Sequence, residues 1–121
     1  MPAELALLHT QEPAPAAIRE AFGQVCPGGT ALEFRGGQIT ALLDEIGGHV
    51  MTVFPTVPIA TDRASMTRDV GLEPPVPADA RFWTEITIPL GDDGARERTA
   101  RRVAELTNGR LHRRTGRGTD V

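Results

Sequence analysis

Residues 81–90 read Arg-Phe-Trp-Thr-Glu-Ile-Thr-Ile-Pro-Leu, and their alternation decides how the rest of the chain is arranged. Phe82, Thr84, Ile86, Ile88 and Leu90 fall on one side of an extended backbone, with Trp83, Glu85 and Thr87 on the other. A half-buried strand requires this period of two, and β-branched and aromatic side chains suit its pleated surface. Pro89 cannot donate to a ladder, so it predicts a sheet edge or a strand terminus.

Downstream, Asp92 and Asp93 offer a capping side chain and negative charge to a helix that turns Thr99, Ala100, Val103, Leu106 and Thr107 inward. Asn108-Gly109 closes that helix, and a short strand over Arg110–Thr115 precedes an expected frayed tail at 116–121. The N-terminal third repeats this plan. A strand over Ala3–Thr10 carries Leu5, Leu7 and Leu8, and Pro13 and Pro15 suit a first helical turn. Ala14, Ala17, Ile18, Ala21, Phe22 and Val25 then recur at helical spacing until Pro27, Gly28 and Gly29 stop the helix. A shift of 81 residues superposes Leu5 on Ile86, Leu7 on Ile88, Phe22 on Val103 and Gly28 on Gly109.

Between the two units, Thr30–Arg35, Gln38–Glu45 and His49–Val57 are short apolar segments separated by Gly36-Gly37 and Gly47-Gly48, as in tight hairpins. Five of the ten prolines fall in Pro55–Ala80, which predicts a long loop with a helical turn near Arg63–Asp69. The expected fold is one α+β domain over 1–121 with a mixed, mainly antiparallel sheet and two helices on one face. In topology it resembles the ferredoxin-like split βαβ arrangement with an added hairpin strand, a fold that hosts many unrelated functions.

Composition bounds the function. With 121 residues, 40% of them apolar, the chain can bury a core without a disulfide or metal. The absence of tyrosine disfavours a base-stacking platform and leaves Phe22, Phe34, Phe54, Phe82 and Trp83 as the expected large core pieces. One cysteine excludes an internal disulfide and suits a reducing compartment. No apolar run reaches the ~18 residues of a membrane span, and Met1–His9 lacks the basic region of a secretory signal. A cytoplasmic location is therefore expected.

Charge is unevenly placed. All 13 basic residues are arginine, and eight of them lie in Arg96–Arg117 against Glu97 and Glu105, a net +6; Met1–Ala95 carries five arginines against thirteen acids, a net −8. Clustered guanidinium groups favour phosphate or carboxylate partners, whereas the ordinary fate of Arg98, Arg101 and Arg102 is a solvated helix face. His9 and His49, at strand ends, could meet near Asp44, Glu45 and Glu85, yet isolated histidines there are commonly surface residues, and His112 is a weaker candidate. Cys26 follows a helix C-terminus, where a thiol is not activated. No phosphate cradle, CxxC or HExxH is present, so no cofactor, metal or catalytic residue is implied.

Trp83 is an interface anchor if its face of the sheet is open, and a core residue if the proline-rich loop covers it. The expected function is a non-catalytic protein-binding module of adaptor or immunity type, with Trp83, Arg98, Arg101 and Arg102 as partner-binding residues. Its rivals are a nucleic-acid or phosphate binder working through the second helix, and a small dimeric enzyme enclosing an apolar pocket. Another protein is the expected partner, a homodimer is possible, nucleic acid is disfavoured by the net charge of −3, and a membrane is excluded.

Overall fold

The computed structural model describes residues 3–14, 16–59, 71–89 and 94–114. In chain order the elements are β1 (Ala3–His9), α1 (Ala17–Val25), β2 (Thr30–Phe34), β3 (Ile39–Leu43), β4 (His49–Pro58), β5 (Leu72–Glu73), β6 (Phe82–Ile88), α2 (Ala95–Leu106) and β7 (Arg110–Arg114). The seven strands form one sheet in the order β2-β3-β4-β6-β1-β7-β5. Every pairing is antiparallel, which corrects the expected mixed sheet. The physical reason is that each helix joins strands running the same way but separated in the sheet: β1 lies between β6 and β7, so no parallel neighbours arise. β6 is likewise internal, and Pro89 marks its terminus rather than an edge.

Both helices cover the same face. Ile18, Ala21 and Phe22 of α1 and Ala100, Val103 and Ala104 of α2 close over Leu5, Leu7, Leu42, Met51, Val53, Ile86 and Ile88. Burial of each large side chain contributes ~1.5–3 kcal/mol. On the opposite face Ala6 and Leu8 pack under Leu72, Val76 and Ala80, with Ile59 and Trp83 at the margin. This two-sided cover explains why Leu5-Ala6-Leu7-Leu8 is a continuous apolar run and not an alternation.

Several expectations change in detail. Leu106 is 37% exposed and Ala104 takes the inward position, in the core that both helices share. Phe34 is exposed and Phe54, Phe82 and Trp83 are half-buried, so Leu5, Leu7, Leu8, Leu42, Met51, Ile86 and Val103 fill the core instead. The α2 N-cap is Gly94, at φ 81°; Asp92 and Asp93 lie outside the described residues, as do Leu90, the turn near Arg63–Asp69 and the tail at 116–121. β4 continues through Pro55 to Pro58, placing the start of the proline-rich stretch in the ladder with a bulge between Val53 and Thr56. The β3–β4 connection is longer than a two-residue hairpin: the Asp44 carboxylate accepts from the backbone N–H of Ile46 at 3.0 Å and Gly48 at 2.7 Å, holding 44–48 as a loop. Asn108-Gly109 ends α2 as expected, with Asn108 at φ 60° and Gly109 N–H bonded to the Ala104 carbonyl at 2.8 Å.

Candidate functional site

The outer half of the sheet's second face carries apolar side chains that nothing among the described residues covers. β2 pairs with β3 so that Leu32 stands beside Ala41, Phe34 beside Ile39 and Thr30 beside Leu43. Leu32 is 45% exposed, Phe34 51% and Val57 of β4 41%, while Ile39, Ala41 and Leu43 are half-buried. Val57 pairs with Trp83, and Trp83 pairs with Leu8, so the tryptophan sits where the covered half of this face meets the uncovered half. Trp83 packs against the cluster of Ala6, Leu8, Leu72, Val76 and Ala80, and the residue is neither fully open nor fully core.

The two sheet edges differ. β5 has two residues, Leu72 and Glu73, and Pro74 follows it, which are devices that discourage further pairing. β2 has five residues, no proline, and no strand beyond it among the described residues. Its one charge, Glu33, belongs to the helix face, where it receives a hydrogen bond from Arg19. The exposed side of this edge therefore presents Thr30, Leu32 and Phe34 without a guarding charge.

The helix face carries a cavity of about 270 Å³ between the segment entering α1 and the β3–β4 pair. Ile18, Leu42 and Val53 form its apolar floor, and Glu12, Arg19, Gln38, Thr40 and Thr56 bring polar groups to it. Thr56 and Thr84 share a hydroxyl hydrogen bond of 2.5 Å. A second hollow, about 20 Å³, lies by His9, Asp79, Asn108 and Arg110 and has room for about one water.

The expected histidine site does not assemble. His9 pairs with Phe82, as does Pro58 at the far end of β4, whereas His49 begins β4, so the two histidines occupy opposite ends of the sheet. No group of three metal-binding side chains occurs among the described residues. His9 and His112 are buried rather than superficial: His9 Nε2 meets Thr107 Oγ1 at 3.1 Å, and His112 Nδ1 meets the Pro74 carbonyl at 2.5 Å. Burial pushes the His9 imidazole below its ordinary pKa of 6.5, with the Thr107 contact opposing in part. Cys26 is half-buried as the C-cap of α1.

Arg98, Arg101 and Arg102 share the solvent side of α2. Arg101 bonds Glu97 at 3.1 Å and Arg102 bonds Glu105 at 3.2 Å, and Arg113 of β7 also reaches Glu97. Arg114 bridges Glu4 at 2.8 Å and Glu85 at 3.1 Å. The arginine cluster is thus threaded with acids from several elements, which lowers its field toward a polyanion.

Sequence reasoning missed the patch and the cavity. The alternation Ala31-Leu32-Glu33-Phe34 contains the signal for the patch, because the side shared by Ala31 and Glu33 meets the helices and leaves Leu32 and Phe34 outward. The cavity joins residues 12–19, 37–42 and 53–56, which only the tertiary fold brings together. A scan against protein-family models, a search of curated proteins and a search of solved structures find no match to this chain.

Proposed function

We propose that the chain is a non-catalytic protein-binding module of adaptor or immunity type, and that its partner docks an extended segment along β2. The observation that carries this reading is the open edge of β2 flanked by exposed Leu32, Phe34 and Val57. The outer N–H and C=O groups of an edge strand are satisfied best by another strand, and alternate apolar side chains on that strand cover Leu32 and Phe34. Trp83 is on the same sheet face but on β6, beyond β3 and β4, where it stands beside Val57 and offers a large amphipathic ring only to a partner that spreads across the face. The order β7-β1-β6-β4, with both helices on one side, supports a ferredoxin-like scaffold into which β2 and β3 are inserted as the recognition hairpin.

The arginines of α2 take a smaller part. Arg98, Arg101 and Arg102 are exposed on the helix layer, not on the sheet face that carries Leu32 and Phe34, and serve a partner only if it wraps around the module. A nucleic-acid role gains no support from guanidinium groups already engaged by Glu97 and Glu105.

A displayed library of linear peptides tests the reading. The expected selection is for extended sequences with apolar residues at alternate positions, whose binding is lost on Leu32→Arg or Phe34→Arg and on N-methylation of the peptide backbone. Absence of enrichment, or binding indifferent to both the substitutions and the methylation, refutes it. A concentration-dependent dimer in light scattering that Phe34→Arg dissolves would reassign the edge to a second copy of the chain.

A further inference from the structure

We infer that the cavity on the helix face binds a small zwitterion with an apolar side chain, a free aliphatic α-amino acid. This site lies on the other side of the sheet from the β2 docking surface and does not depend on it. Its volume, about 270 Å³, lies just below the ~300–1,000 Å³ of sites for drug-sized ligands, so it fits a molecule of about ten heavy atoms. Ile18, Leu42 and Val53, all buried, provide an apolar floor for an aliphatic side chain.

Charge sets the rest of the ligand. Glu12 and Arg19 line the same cavity with opposite signs. Arg19 uses one terminal nitrogen on Glu33, and Glu33 does not line the cavity. A guanidinium has five N–H donors, so others remain for a carboxylate, while the Glu12 carboxylate can accept from an ammonium. A ligand with a single charge engages only one of these two groups. A ligand with both charges on neighbouring atoms answers both. Thr40, Thr56 and Gln38 offer neutral donors and acceptors to the remaining carboxylate oxygen.

Calorimetric titration of the whole chain with L-leucine, 4-methylpentanoate, isopentylamine and glycine separates the contributions. Leucine is expected to bind up to about fivefold more tightly than either singly charged analogue, the range expected from an ion pair with an exposed partner. Glycine, which lacks the side chain, is expected to bind more weakly still. Glu12→Gln should abolish the advantage of leucine over 4-methylpentanoate, and Arg19→Gln its advantage over isopentylamine. Both positions are exposed, and an unchanged melting temperature without ligand will confirm that the variants fold. No heat from leucine at ~10 mM, equal affinity for leucine and its analogues, or leucine binding unchanged in both variants overturns the proposal. Because the peptide selection reads β2 and this titration reads the helix face, either can fail while the other stands.

Discussion

His9 holds, at Nδ1, a buried side-chain atom without a hydrogen-bond partner among the described residues. The Thr107 hydroxyl has one proton, which it donates to the α2 carbonyls of Val103 or Ala104, each at 3.1 Å. Its oxygen is then left to accept from His9 Nε2–H, which fixes the tautomer and leaves Nδ1 bare. Protonation would add a charge at Nδ1 with no acceptor to receive it. The folded pKa thus lies below the unfolded value of 6.5, and the unfolded chain binds protons more readily. Stability is therefore full above about pH 6.5 and declines as pH falls through that value, before the carboxylates titrate near pH 4. Urea titrations at a series of pH values between these limits should show the decline in the native protein and a flatter profile in His9→Gln. Gly109 abuts the same ring: a Cβ there would stand 2.6 Å from His9 Nε2 and 2.8 Å from Leu7 Cδ1. Gly109→Ala should cost about 1–3 kcal/mol in denaturant unfolding through overpacking.

The elements show how far pattern reading reaches. Strand and helix periodicity placed β1, α1, β6, α2 and β7 close to their observed bounds, because each of these elements meets the core through one regular stripe or alternation. Phe22 and Val103, matched by the shift of 81 residues, do enter one core. Replacement of either by Asp buries an unpaired charge and should cost several kcal/mol, enough to abolish a cooperative melt. Leu106 belongs to the same sequence stripe yet is 37% exposed, so Leu106→Asp should fold, with a thermal midpoint lowered by only a few degrees. The comparison of these three variants checks the packing directly. What pattern alone could not supply was the identity of the covering layer. Leu32 and Phe34 look as suitable for a core as Leu5 and Leu7, and only the placement of β2 at the end of the sheet leaves them in water. The proline count around 55–80 similarly hid the end of β4, since a bulged strand next to the long inserted segment tolerates Pro55 and Pro58.

For the whole molecule, the −8 and +6 segments read from the sequence are tied together, among the described residues, by Arg114 on Glu4 and Glu85 and by Arg110 on Asp79. Arg113 and Arg114 of β7 and Arg101 and Arg102 of α2 each contact a carboxylate, and Arg114 reaches back to Glu4 on β1. Mixed surfaces of this kind do not release many counterions on meeting a polyanion. No binding to duplex or single-stranded nucleic acid is expected at physiological salt, and Arg98→Glu combined with Arg102→Glu should leave the fold intact by circular dichroism. Micromolar, salt-sensitive binding abolished by that pair would instead make α2 the functional surface. Among the described residues no helix is long and apolar enough to cross a membrane.

The position of β1 between β6 and β7 also governs how the chain is made. Leu5 has Ile86 on one side and Arg113 on the other, so β1, once it leaves the ribosome, gains neither neighbour until synthesis has passed β6. The β2-β3-β4 meander, by contrast, pairs residues close in sequence and can form while β1 waits. During synthesis the apolar run Leu5–Leu8 is a bare segment in need of shelter, and a release of the chain before Arg110–Arg114 leaves one flank of β1 open to any passing strand.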